Sequence, residues 1–381
     1  MRAVVDPMRL TSVVVAALVV TSALVGGVTA AATNAQPDVP HTDRAAEVVT
    51  EPATEVISTP ASESGAALQA SGGTSDACAF PVELTDATGT TVTLDERPER
   101  IVTTNPSAAQ TLWEVGARDR VVGVTQFAAY LDGADEKTDV SAEGLGVSVE
   151  KVVNAEPDLV LAPNASADQV ADLREQGLTV YHFPAATSVD DIAAKTTTTG
   201  RLVGNCEAAA ATNEEMNAAV ADAEAQTADL DRPTGLYPLG DGFVAGGNTF
   251  IDEIMEIGGV DNVAADVDDG YPQLSNEVIL ETDPELIVVT DPDAPILDEE
   301  PYASTTAGVE NNYVVLDRNY LNQPAPRSVI VTTDRLATAV EELQREGSGD
   351  ANGDTGAAAP GFGVVAAVLA TLAVALRARR E

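Results

Sequence analysis

Few of the residue types that catalyse reactions are present. The chain holds two histidines, His41 and His182, and two cysteines, Cys78 and Cys206. A Ser–His–Asp relay needs a histidine beside its nucleophile. His41 lies in a stretch too polar to build a core, and His182 ends an apolar run, where a packed or cleft-lining role is the plainer reading. No His, Cys or carboxylate cluster has the spacing of a zinc or manganese site. Gly240-Asp-Gly242-Phe-Val-Ala245 follows a strand pattern and carries the glycines of a dinucleotide loop. The next helix pattern begins only near Thr249, so the loop lacks the helix terminus that holds a pyrophosphate. These features point away from an enzyme and from a resident cofactor.

What the expected strand-end loops do contain is aromatic and amide groups: Asn105, Phe127, Tyr130, Phe243, Tyr271, Gln273, Tyr320 and Asn322. Aromatics are only 4% of the chain, so their concentration in these loops is informative. Aromatic planes with amide donors suit a large, flat, mostly neutral small molecule. One or two of the rings are expected to plug apolar space beneath the loops instead. Arg327, after Pro324-Ala-Pro326, is the obvious cation, placed either to bind ligand or simply to start its helix.

These loops need a scaffold. Val82–Thr85 and Val92–Leu94, with Gly89 between them, read as a hairpin. Arg100–Thr104 reads as a first core strand, and Asn105 with Pro106 as the cap and first position of a helix reaching Gly116. Strand and helix patterns then alternate. Strands are expected at Val121–Val124, Leu159–Ala162 and Leu178–Tyr181. Helices are expected at Val149–Asn154, Ala167–Gln176 and from Ser188, where Asp191 closes a capping box. A second series follows, with strands at Leu236–Leu239, Leu286–Thr290 and Val314–Asp317. Its helices are Thr249–Ile257, Ser275–Glu281 and Arg327–Leu343. Between the two series runs Cys206–Leu230, Ala-rich, without Gly or Pro, capped by Asn205 and stopped at Pro233. At 1.5 Å per residue it makes a rod of about 36 Å, enough to span two domains. The fold class is α/β: two Rossmann-like lobes with largely parallel sheets, joined by one long bridging helix, with ligand in the crevice between them.

The two series also repeat. Glu150-Lys-Val-Val-Asn-Ala-Glu-Pro157-Asp-Leu-Val and Glu277-Val-Ile-Leu-Glu-Thr-Asp-Pro284-Glu-Leu-Ile match at a constant offset of 127 residues. That period is half a two-lobed protein rather than a solenoid unit. Helix–Pro–strand is a common connection, but the shared Glu favours true two-fold pseudosymmetry over coincidence.

Charge and termini set the compartment. Sixty-one acidic residues against 20 basic ones give −41 over 381 residues, which excludes nucleic-acid binding because phosphate is repelled. Spread along the chain, such charge suits very salty surroundings, where the Debye length falls to about 3 Å. Residues 1–30 read as a signal peptide, with Arg2 and Arg9 before an apolar run from Leu10 to Val28; a retained anchor is the rival reading. Residues 31–77 form a Thr/Ser/Pro/Glu-rich stalk too polar to fold. The first lobe then covers 78–190, connecting helices 191–232 and the second lobe 233–345. A spacer, 346–359, precedes 360–381, where Pro360-Gly-Phe362, a 14-residue apolar run and Arg377, Arg379 and Arg380 follow in turn. That arrangement resembles the archaeal PGF C-terminal sorting signal, which implies removal of the segment and lipid linkage at the outer face of the membrane.

From about Arg100 to Leu343 the chain resembles the helical-backbone binding proteins of metal-chelate ABC importers, the family that carries cobalamin, ferric siderophores and haem. The resemblance rests on Asn105-Pro-Ser, Val149-Glu150 through Pro157-Asp-Leu-Val, Tyr271-Pro-Gln-Leu-Ser-Asn-Glu277 and Pro326-Arg327. It implies that Phe127, Phe243 and Tyr271 cradle a corrin ring, and that Glu150 and Glu277 dock on arginines of a dimeric permease. Gly144 stands where the vitamin B12-binding member has a tryptophan, so a ferric siderophore or haem stays open as the ligand. A surface-layer or adhesive module is the reading outside the family. Cys78 and Cys206, the only cysteines of an exported chain, are expected to form a disulfide, two separate thiols being the alternative.

Overall fold

A computed structural model describes residues 78–350 except Leu145, with side chains as far as Arg345. The expected signal peptide, stalk and C-terminal sorting segment lie outside the described residues.

The chain enters through a hairpin, β1 (Val82–Thr85) and β2 (Thr91–Leu94), and passes to β3 (Ile101–Thr103), α1 (Pro106–Glu114), β4 (Val121–Val124) and β5 (Thr138–Asp139). It continues through α2 (Val149–Asn154), β6 (Leu159–Ala162), α3 (Ala167–Glu175) and β7 (Val180–His182). Strands β3 to β7 form one sheet in the order β5-β4-β3-β6-β7, every pairing parallel. Parallel strands buried on both faces read as continuous apolar runs, and β6, Leu-Val-Leu-Ala, has no exposed residue. Leu159 and Leu161 pack toward α1 and the hairpin, while Val160 and Ala162 pack toward α2 and α3.

Two helices then leave this lobe, α4 (Val189–Val203) and α5 (Cys206–Thr227). The capping box at Ser188 and Asp191 forms as expected, and Gly204 ends α4 in the left-handed conformation (φ +68°). A Cβ on Gly200 would lie 2.5 Å from that of Ala209, so the α4–α5 corner closes only with glycine there. Cys78 and Cys206 form the expected disulfide, Cα–Cα 6.0 Å, joining the chain ahead of β1 to the first turn of α5. Asn205 does precede α5 but does not cap it. Its side chain accepts from Arg97 at 3.0 Å and donates to the Val115 carbonyl at 2.7 Å, tying α5 to the first lobe instead.

The second lobe runs β8 (Thr234–Leu236), β9 (Pro238–Gly240), β10 (Phe243–Val244), α6 (Phe250–Ile257), β11 (Asp261–Asn262), α7 (Asn276–Thr282) and β12 (Leu286–Val289). After these come α8 (Thr306–Glu310), β13 (Tyr313–Val315), α9 (Arg318–Leu321) and α10 (Pro326–Asp350). Its sheet, β11-β8-β12-β13, is again wholly parallel. One face buries Leu286, Val288 and Val314 against Met216 and Ala223 of α5, Ile254 of α6 and Leu336 and Val340 of α10. Helix α5 thus touches both cores, and α10 runs alongside it. Two sequence expectations shift: Leu236–Leu239 is not one strand, because β8 stops at Leu236 and β9 turns into a hairpin with β10, and α10 continues past Leu343.

The 127-residue repeat is structural. Ser148 and Ser275 occupy N-caps, accepting from Lys151 N and Val278 N. Glu156 (φ +46°) and Asp283 (φ +41°) take matched left-handed conformations before Pro157 and Pro284, and β6 and β12 coincide residue for residue.

Candidate functional site

In parallel α/β sheets ligands gather at the carboxyl ends of the strands, and the predicted residues lie in the segments leaving those ends. In the first lobe β3 leads to Asn105 and β4 to Phe127 and Tyr130; in the second, β13 leads to Tyr320 and Asn322. Phe243 and Tyr271 arrive differently. Phe243 bridges Gln273 across a short antiparallel contact, and Val244 N donates to Pro272 O at 3.0 Å. The Gly240-Asp-Gly242 turn, all three residues at positive φ, makes this possible. A Cβ on Gly242 would meet the Leu274 carbonyl at 2.9 Å. The glycines therefore serve a hairpin turn. Gln273 Nε2 donates to Asp241 O at 2.6 Å, so its amide helps hold the turn.

Three rings lie open at the rim of this region: Phe127 is 44% exposed, Phe243 41% and Tyr271 56%. Leu239 on the same hairpin is also exposed. Scattered apolar residues need no explanation, whereas several exposed rings on strand-end loops are unusual in a chain with so few aromatics. Asn105 uses its Oδ1 to cap α1, accepting from Ser107 N at 2.9 Å.

Below the rim the groups are partnered. Tyr130 meets Tyr320 edge-on, centroids 5.8 Å apart, joining the lobes ring to ring. The Tyr130 hydroxyl accepts from Gln110 Nε2 at 2.9 Å, and burial pushes it up to about 12 despite that bond, so it keeps its proton. Gln110 Oε1 in turn accepts from the backbone N–H and hydroxyl of Ser328 on α10. Lys195 of α4, wholly buried, donates to Ser107 Oγ of the first lobe at 3.3 Å and to the Pro324 carbonyl of the second. Among the described residues no carboxylate pairs with it, and burial pushes its ammonium down to about 7.

Arg327, expected either to bind ligand or to start its helix, is already paired. It grips Glu114 of α1 with two nitrogens, at 2.7 and 3.3 Å, and reaches Glu215 of α5 at 3.1 Å. The Glu114 bond holds its pKa above the ordinary value. Arg327 therefore locks α10 to the first lobe and to the bridge. His182 is equally structural, buried with Nδ1 at 2.9 Å from Ala162 O. Tyr237, directly after β8, is a buried strand-end tyrosine that the sequence reading missed. Burial raises the pKa of its hydroxyl above the ordinary tyrosine value. The misplaced strand end had hidden it inside β8. Among the described residues no group of three or more His, Cys, Asp or Glu could hold a metal ion.

The sequence profile of the periplasmic binding protein family matches residues 101–321. The chain belongs to that family. Its members are solute-binding proteins rather than enzymes, and work outside the cytoplasm with ABC importers. A cobalamin-binding protein of Halobacterium salinarum is 47% identical over 337 residues, covering 80% of this chain and 90% of that one. A vitamin B12-binding protein of Yersinia pestis is 25% identical, covering 61% and 83%. The periplasmic vitamin B12 binding protein of Vibrio cholerae superposes with a TM-score of 0.57 at 23% identity, over 65% of this chain and 98% of that one. The apo heme-binding protein of Roseiflexus gives 0.58 at 23% identity, over 64% and 99%. At those identities the two solved structures establish the fold of this binding protein, two lobes on a helical backbone. Among the described residues no helix is long and apolar enough to cross a membrane.

Proposed function

We propose that this binding protein carries a cobalamin-like corrinoid, one per chain, in the crevice between its lobes and hands it to a dimeric permease. The observation that carries this reading is the 47% identity, over 80% of this chain and 90% of the other, to a cobalamin-binding protein. The site's chemistry agrees: open rings at the rim, proton-keeping tyrosines below, and the most obvious cation, Arg327, already neutralised by two glutamates. A neutral, amide-fringed macrocycle suits such a surface better than a polyanionic ferric chelate. The protein would work at the outer face of the membrane, lipid-linked through its processed C-terminal segment. Glu150 and Glu277, exposed in the first turns of α2 and α7, would each meet a basic pocket of one permease subunit.

Calorimetry in molar potassium chloride with cyanocobalamin, haem and a ferric hydroxamate tests the ligand. One-to-one heat with cyanocobalamin alone is the expected result, and binding of haem or the ferric chelate in its absence overturns the assignment. Glu150→Gln with Glu277→Gln should leave that heat unchanged while uptake by cells fails.

A further inference from the structure

Helices α2 and α7 match position by position. Each has a serine N-cap, an exposed glutamate, and a β-branched residue, Val152 or Ile279, buried beneath it. The next matched residues are Val153 and Leu280, which are 36% and 44% exposed. Each follows its glutamate by three positions, so carboxylate and apolar side chain are neighbours on one helix surface, with Cβ atoms about 5–6 Å apart. Each helix runs back toward the start of the strand that follows it, β6 or β12, so its N-terminus lies at the carboxyl edge of its sheet. That is the edge where the aromatic rim opens. Both lobes thus present the same small patch, a carboxylate beside an apolar side chain, on the same side as the ligand.

Neither apolar residue is needed by the core, since Val152 and Ile279 already fill it. A pair of equivalent patches related by pseudo-two-fold symmetry complements a two-fold symmetric partner, which offers the same pocket twice. The carboxylates alone make a poor contact. An exposed ion pair is weak, and at the salt concentration that a chain of −41 needs for screening its reach falls to about 3 Å. Apolar burial is not screened.

We infer that Val153 and Leu280 are the apolar half of a bipartite docking surface, each seated with its glutamate in one of two equivalent cation-plus-apolar pockets of a two-fold symmetric membrane permease. The inference rests on the docking reading above and adds to it which side chains hold the contact in concentrated salt. Two patches must engage together, because each is small and the second contact becomes intramolecular once the first has formed.

The test compares Val153→Ser with Leu280→Ser against Glu150→Gln with Glu277→Gln, in host cells lacking their own copy of the gene. The readout is uptake of cyanocobalamin labelled with radioactive cobalt, with affinity measured beside it by calorimetry. The serine pair should lower uptake about tenfold or more, the scale of losing an interface hot spot, with unchanged affinity and melting. Each single serine should lower it less, and Val153→Ile with Leu280→Met should restore it. Normal uptake by the serine pair while the glutamine pair fails overturns this inference and leaves the docking reading standing. Normal uptake by both pairs overturns docking as well. A wild-type chain that neither binds nor imports cyanocobalamin overturns the functional reading and the inference with it. A wild-type chain that sediments as a dimer, and becomes a monomer with the serine pair, assigns the patches to a second copy instead.

Discussion

The rim and the floor of the crevice are built from similar residues put to opposite uses. At the rim, Phe127, Phe243 and Tyr271 expose their faces. On the floor, Tyr130 meets Tyr320 and Gln110, while Gln110, Lys195 and Arg327 bond Ser328, Ser107 and Glu114 across the junction of the lobes. The contrast separates side chains left open to solvent from those that hold the frame, by the presence or absence of a partner rather than by residue type.

Arg327→Ala should break the floor most. It leaves Glu114, a mostly buried carboxylate, without its guanidinium, and should cost about 2–3 kcal/mol in urea unfolding. Affinity for cyanocobalamin should stay within a few-fold, and a large loss of affinity at full stability would return Arg327 to the ligand set. Tyr271→Ala should do the reverse. Affinity by calorimetry should fall by about 1–3 kcal/mol, the scale of a stacked ring and its buried area, with unfolding unchanged.

Lys195 gives the comparison a pH axis. Its folded pKa, about 7, lies below the ordinary lysine value. The unfolded chain therefore binds the extra proton between about pH 7 and 10, and stability gains as pH rises through that window by at most roughly 1.4 kcal/mol per unit from this group. Below pH 7 both states are protonated and the burial penalty is fully present. Lys195→Met should remove this slope, so unfolding profiles of the two proteins should converge or cross between pH 7 and 10; parallel profiles would show that Lys195 is solvated. The smallest effect belongs to Tyr130→Phe, which deletes the acceptor of the Gln110 bond and should cost about 1 kcal/mol of stability.

Local features were legible in the sequence. The Ser188–Asp191 box, the proline-started α1 and the pattern of the bridging helix each rest on short-range spacing, and the 127-residue repeat on two short segments compared with each other. The disulfide was legible because only one pairing existed. The floor was not. Arg327 reads as a ligand cation until its partners are known, and they lie 213 and 112 positions away. Lys195 and Ser107 are 88 apart, and no periodicity marks such a meeting. Tyr237 escaped for a local reason, since an apolar Leu-Tyr pair before Pro238 does not reveal on which side of Leu236 the strand stops.

The ties between the lobes bear on time as well as stability. With Tyr130 against Tyr320 and Lys195 held from both sides, the crevice is shaped before cargo arrives. Capture then needs no large closure, and its rate is set by diffusion and orientation rather than by a slow rearrangement. Unaided release retraces the path of capture, so dwell time follows from the contacts the ligand makes at the open rings and not from a hinge. Spreading the lobes is a separate event, since it means pulling Arg327 from Glu114 and Gln110 from Ser328. A partner that did spread them would speed release by removing one wall of the site, a route the free protein does not use.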